Sequence, residues 1–92
     1  MNYKIRISKQ FERDMKRIKR RGYDIRKLRE VIELLATTSV LPAKYKDHAL
    51  SGNKLGMRDC HITPDWLLLY IRKDMELILV LQRTGTHSDL FE

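Results

Sequence analysis

Trp66-Leu67-Leu68-Leu69-Tyr70-Ile71 is the longest apolar run in the chain, and Leu77-Ile78-Leu79-Val80-Leu81 follows it closely. Neither run alternates with polar residues, and an unbroken apolar strand is one covered on both faces. A tight turn at Lys73-Asp74 joins the two, so they should pair antiparallel in the middle of a sheet. Ahead of them, Thr63-Pro64-Asp65 reads as a turn with Pro at a favoured position, which makes Met57–Ile62 a third strand. Behind them, Thr84-Gly85 breaks the last strand and a short tail closes in Leu90-Phe91. Residues 43–56 read as a polar loop.

The first half has a different period. Tyr3-Lys4-Ile5-Arg6-Ile7 alternates apolar with basic, as a half-buried strand does. Ser8 is suited to cap a helix in which Phe11, Met15 and Ile18 share one face. Gly22 suits that helix's C-terminus, and Asp24 can cap a second helix carrying Ile25, Leu28, Ile32 and Leu35. Thr37, Thr38 and Ser39 weaken the second helix, and Pro42 lies beyond its end. The expectation is one α+β domain over residues 1–92. It has a curved, mainly antiparallel sheet with an N-terminal strand and a two-helix hairpin packed on one face.

The chain of 92 residues is 42% hydrophobic and 34% charged, enough apolar material for one modest core. No run approaches the roughly 20 apolar residues of a membrane span, and residues 1–20 hold no apolar signal core. With Cys60 the only cysteine, no intrachain disulfide forms, and the expected compartment is a reducing cytoplasm. Charge is unevenly placed. Residues 1–30 hold twelve Lys/Arg against four Asp/Glu, a net of +8, while the rest carries −1. Such a block suits an anionic partner, or simply solvates a helix face.

The three histidines, His48, His61 and His87, fall at loops or strand ends of the second half. His61 and Asp65 flank one turn and can face a common cleft, to which Arg83 and His87, after the last strand, can return. Histidine exchanges protons near neutral pH, and Arg83 or Arg58 can grip a phosphate bidentately. Together these are the tools of acid–base phosphoryl chemistry. Histidine spacings of 13 and 26 match no short zinc motif. Cys60 and His61 are neighbours on a strand, so they point to opposite faces and form no dyad with each other. Trp66 reads as core, and Phe91 as a tail anchor or a stacking surface.

Four ordered blocks carry a resemblance. They are Lys46-Asp47-His48-Ala49-Leu50-Ser51-Gly52, Gly56-Met57-Arg58-Asp59-Cys60-His61-Ile62, Pro64-Asp65-Trp66-Leu67-Leu68-Leu69-Tyr70, and Arg83-Thr84-Gly85-Thr86-His87-Ser88-Asp89-Leu90-Phe91. At these separations they resemble the YafQ branch of the RelE/ParE toxin superfamily. The resemblance implies a type II toxin that enters the ribosome and cuts mRNA, neutralised by a cognate antitoxin. It would meet operator DNA only through the antitoxin complex. It maps active-site positions to His48, His61, Asp65, His87 and Phe91, with Arg83 as basic neighbour. The expected reaction needs no metal and no cofactor, because RNA carries its own nucleophile in the 2′-OH. His87 is the expected acid and His48 or Asp65 the base, with His61 orienting either or binding phosphate. Arg83, Lys46 and Arg58 would meet phosphate, and Phe91 a base. Arg13, Lys16, Arg17 and Arg20 would dock on ribosomal RNA. The alternatives are a non-catalytic nucleic-acid-binding module built on the basic helices, and a ParE-type gyrase inhibitor, which lacks the histidine set.

Overall fold

The two unbroken apolar runs lie side by side at the centre of a single sheet. A computed structural model describes residues 2–38 and 40–91. Its elements are β1 (Lys4–Ile7), α1 (Lys9–Arg20), α2 (Ile25–Thr37), β2 (His48–Ala49), β3 (Arg58–Thr63), β4 (Trp66–Lys73), β5 (Ile78–Gly85) and α3 (His87–Phe91). The strand order is β1-β5-β4-β3-β2. Strand β1 pairs parallel to β5, a pairing that the long connection between them permits, and the other three pairs are antiparallel. Both expected caps form: Ser8 Oγ accepts from Phe11 N at 2.9 Å and Asp24 Oδ1 from Arg26 N at 3.1 Å. Gly22, with φ +79°, follows the first helix. The expected weak end of α2 runs through Ser39, which lies outside the described residues; the helix ends at Thr37.

The central strands are apolar on both faces because each face has its own cover. Phe11, Ile18, Leu28, Val31 and Leu35 from α1 and α2 pack on Cys60, Trp66, Leu68, Tyr70, Leu79 and Leu81. On the opposite face Leu67 and Leu69 are covered by Leu90 of α3 and by half-buried Leu50 and Met57. A one-turn helix has no stability of its own, so α3 depends on such contacts. Burying Leu90 contributes about 1.5–3 kcal/mol to holding it. Trp66 is core as expected: its indole N–H donates to Thr84 Oγ1 at 2.9 Å, and Tyr23 meets it edge-on at 5.0 Å.

Several boundaries differ from the sequence reading. Residues 43–56 are more than a loop: they contain two short 3₁₀ turns and β2, which carries His48. Strand β3 is displaced by one residue, to Arg58–Thr63, and the tail is a helix. The hairpin turn spans residues 74–77, and Leu77 sits in it at φ +54° instead of starting a strand. Strand β5 does not stop before Thr84-Gly85; it runs through Gly85, so Arg83 lies inside it. Three contacts sustain those last residues. Thr84 Oγ1 donates to the Leu67 carbonyl at 2.7 Å, and Thr84 accepts from Trp66. Past the end of β1, the Asp14 carboxylate of α1 takes the Thr84 N–H at 3.1 Å.

Candidate active site

Sheet register decides which side chains share the face away from α1 and α2. His61 lies opposite Leu67, and Asp59 opposite both Leu69 and His48. Directly paired residues point the same way, so His48, Asp59 and His61 stand on the face that α3 partly covers. Cys60 points to the other face, where burial pushes its thiol up. Between Leu69 and Tyr70 the β4–β5 register shifts by one residue at Gln82. This bulge sets Arg83 opposite Leu69, on the face opposite to Leu81.

Helix α3 then brings His87 and Phe91 to the same face. The rings form a row: His48 to His61 at 6.4 Å, His61 to His87 at 5.7 Å, and His87 to Phe91 at 6.2 Å between centroids. His87 Nδ1 lies 3.0 Å from Asp65 Oδ1, which also accepts the His87 backbone N–H at 3.4 Å. The hydrogen bonds from His87 hold the Asp65 carboxyl below its usual range. With Nδ1 engaged by a carboxylate, Nε2 of His87 is the nitrogen available to a ligand. At the other end of the row, His48 Nδ1 lies 2.8 Å from the Lys46 carbonyl oxygen, so the ring donates there and its Nε2 faces Asp59 Oδ2 at 3.6 Å. Lys46 thus serves through its backbone, which is left-handed at φ +50°. The residue also lines, with Lys27, Lys44, Tyr45 and His61, an adjoining cavity of about 390 Å³.

The remaining expected residues divide. The Arg83 guanidinium is held at the edge of this face by the fully buried Asp14, with Nε to Oδ2 at 2.7 Å and Nη2 to Oδ1 at 3.2 Å. Arg58 is not brought to the row: it lies opposite Tyr70 and its guanidinium grips Asp47 at 3.1 and 3.3 Å. Arg13, Lys16 and Arg20 are exposed on α1. Arg17 is not free, since its Nη1 lies 3.1 Å from Asp89 Oδ1.

Four features of the site were given no role by the sequence reading: Asp59, Asp14, the Asp89 latch and Lys54. Asp59 sits two residues before His61 on a strand, so alternation alone places both on one face. Asp14 falls inside the Phe11/Met15/Ile18 stripe, where a charged residue has to find a buried partner. Asp89 fastens α3 to α1: it accepts the Thr86 N–H at 2.9 Å and binds Arg21 at 2.6 and 3.1 Å. Arg21 first, then the Thr86 N–H, hold the Asp89 carboxyl well below the usual range. A Cβ at position 85 would lie 2.8 Å from Asp89 Oδ2, so only glycine permits this approach. Lys54 places its ammonium 5.5 Å from the Phe91 ring centre, at the far end of the row.

A family model described as the YafQ bacterial toxin of type II toxin–antitoxin systems matches residues 3–92. The chain is therefore a type II toxin by class, and within that class it belongs to the YafQ family, as its four sequence blocks implied. The mRNA interferase toxin YafQ of Escherichia coli K12 is 43% identical over 88 residues, 95% of this chain and 94% of that one. The crystal structure of YafQ from E. coli BL21(DE3) matches with a TM-score of 0.91 at 42% identity, over 98% of this chain and 99% of that one. YafQ in the E. coli DinJ–YafQ toxin–antitoxin complex matches with a TM-score of 0.90 at 42% identity, over 100% of both chains.

Proposed function

We propose that this toxin is an endoribonuclease that cuts messenger RNA on the ribosome by acid–base chemistry, without a metal ion. The observation that carries the reading is His87, oriented by Asp65 at Nδ1 and standing 5.7 Å from His61 in a row that ends on an aromatic ring. A base at the His48–His61 end takes the proton of a ribose 2′-OH. The oxygen attacks the adjacent phosphorus, and His87 gives a proton to the departing 5′ oxygen. The products are a 2′,3′-cyclic phosphate and a 5′-hydroxyl. Proton transfer and in-line positioning are what the protein supplies. Asp65 is spent on His87 and so orients the acid, leaving the base to His48 or His61. Arg83, braced by Asp14, offsets charge on the phosphorane, and Phe91 with Lys54 receives a base and its phosphate. Exposed α1 residues Arg13, Lys16 and Arg20 dock on ribosomal RNA in the cytoplasm. A cognate antitoxin covers the toxin, as DinJ accompanies the E. coli relative.

The test is the chemistry of the cut ends on programmed ribosomes. Cyclic phosphate termini, resistance of a substrate with a 2′-deoxy sugar at the cut, and survival of cleavage in EDTA with ribosomal Mg²⁺ controlled are the expected results. Loss on chelation with rescue by zinc would instead assign the three histidines to a metal.

A further inference from the structure

The histidine row stands over a buried carboxylate that has no part in the scheme so far. Asp59 is only 4% exposed, and its Oδ1 has no hydrogen-bond partner among the described residues. Its Oδ2 lies 3.6 Å from His48 Nε2, a charge-pair distance and not a hydrogen bond. The Lys46 carbonyl can only accept, so His48 Nδ1 carries a hydrogen and Nε2 is the atom that gains or loses a proton. That atom lies near Asp59 without a hydrogen bond to it, so its single lone pair stays open to a proton donor on the exposed side of the ring, and the ring is drawn to the neighbouring anion once it is protonated.

We propose that Asp59 is a positioning residue acting through His48: its buried carboxylate stabilises the imidazolium that forms when the proton-accepting end of the row takes the 2′-OH proton. The inference rests on the acid–base reading above. The proton leaves the ribose oxygen for the ring, the new O–P bond forms from the electron pair left behind, and Asp59 itself stays unprotonated. The partner of each histidine sets the division of labour. Asp65 is exposed, already hydrogen-bonded to His87 and held below its usual range, so it suits a group that begins protonated. Asp59 is buried; desolvation raises its carboxyl, while the charges of His48, His61 and His87 lower it and Asp47 raises it. Its negative charge is therefore best accommodated at the moment a neighbouring ring becomes positive. Leu69, fully buried beside it on β4, shields the Asp59 side of the pair, while the His48 ring is half exposed and open to substrate.

The experiment is single-turnover mRNA cleavage on programmed ribosomes across pH by wild type and Asp59→Asn, with folding checked by antitoxin binding. The base must start unprotonated, so activity rises with pH through its titration. Removing the anion should move that ascending limb to lower pH by about one unit or more and lower the plateau at least tenfold. A limb that stays in place, whatever the plateau does, overturns the proposal, since a merely structural role lowers the rate without moving it. Should Asp59→Asn fail to fold, the Asp59 carboxyl is followed by ¹³C NMR in wild type and His48→Ala. Its midpoint should rise when His48 is removed, and an unchanged midpoint overturns the pairing. Cleavage of the 2′-deoxy substrate would sink the acid–base reading instead, and the carboxyl titration would still decide whether Asp59 and His48 are coupled.

Discussion

His87 is the residue on which the proposed chemistry turns. It starts α3, its Nδ1 is occupied by Asp65, and its ring stands between His61 and Phe91. Its other nitrogen is therefore the one available to a ligand, and in the proposed reaction it gives the proton. His87→Ala should remain folded, bind antitoxin and bind ribosomes, yet cleave about 10²–10⁴-fold more slowly, the usual worth of a positioned acid or base. His87→Gln keeps hydrogen bonding without proton exchange near neutrality and should fail almost as badly. Single-turnover rates decide the matter. A variant at near wild-type speed would pass the acid role to His48 or His61. Sequence made these rings and Asp65 visible as chemistry-bearing residues because histidines outside any apolar period have no packing role to explain them. It gave Asp59 no role because a carboxylate beside a cysteine on a short strand looks like an ordinary surface residue until the pairing with β2 and β4 buries it.

At the scale of elements, the site depends on a five-residue helix that cannot stand alone. Leu90 pins α3 by burial, and Asp89 ties it to α1 through Arg17 and Arg21. Asp89→Ala should speed hydrogen exchange across residues 86–91 and lower cleavage at least tenfold, with ribosome binding little changed. Unaltered exchange at those amides would show that Leu90 alone holds the helix. The pH dependence follows from the Asp89 carboxyl, which is depressed in the folded state. The latch is fully present above the ordinary carboxylate pKa of about 3.9 and is lost as pH falls through the lower folded value. It therefore stays closed across neutral and mildly acidic conditions, and the wild-type exchange of α3 relative to the core should be flat there. The apolar anchor of the tail at Leu90-Phe91 was legible in the sequence, but the latch was not: Asp89 is far along the chain from residues 17 and 21, and the short β1 is what lets α1 reach the end of β5.

For the whole molecule, the dominant feature is the net +8 of the first thirty residues. The structure sorts that charge. Arg17 and Arg21 are committed to Asp89, while Arg13, Lys16 and Arg20 face solvent. Reversing Arg13, Lys16 and Arg20 to Glu tests docking without cutting the latch. Ribosome affinity should fall, and its log–log salt slope should flatten by about 0.7–0.9 for each phosphate that is no longer neutralised. The fold should persist, because none of the three lies in the Phe11/Ile18 core. Unchanged affinity and slope would mean that the charge only keeps the chain soluble. Among the described residues no helix is long and apolar enough to cross a membrane.

The sequence by itself determined the central sheet, both helices with their caps, the separation of Cys60 from His61 and the family. Each of these follows from local chemistry: unbroken apolar runs, a helical stripe, cap residues, strand alternation and ordered motif blocks. The tertiary structure decided the face on which Arg83 stands and the company His48 keeps. From Leu79 and Leu81 alone, alternation would turn Arg83 toward the helices; one bulge residue, Gln82, reverses it. His48 lies in a polar stretch with no period to read, and only pairing with β3 sets it over Asp59. Strand register is fixed by contacts between distant parts of the chain, and a slip of one residue changes every face. That is why the sheet could be read in advance, whereas the burial of the carboxylate beneath His48 and the orientation of the arginine beside the row could not.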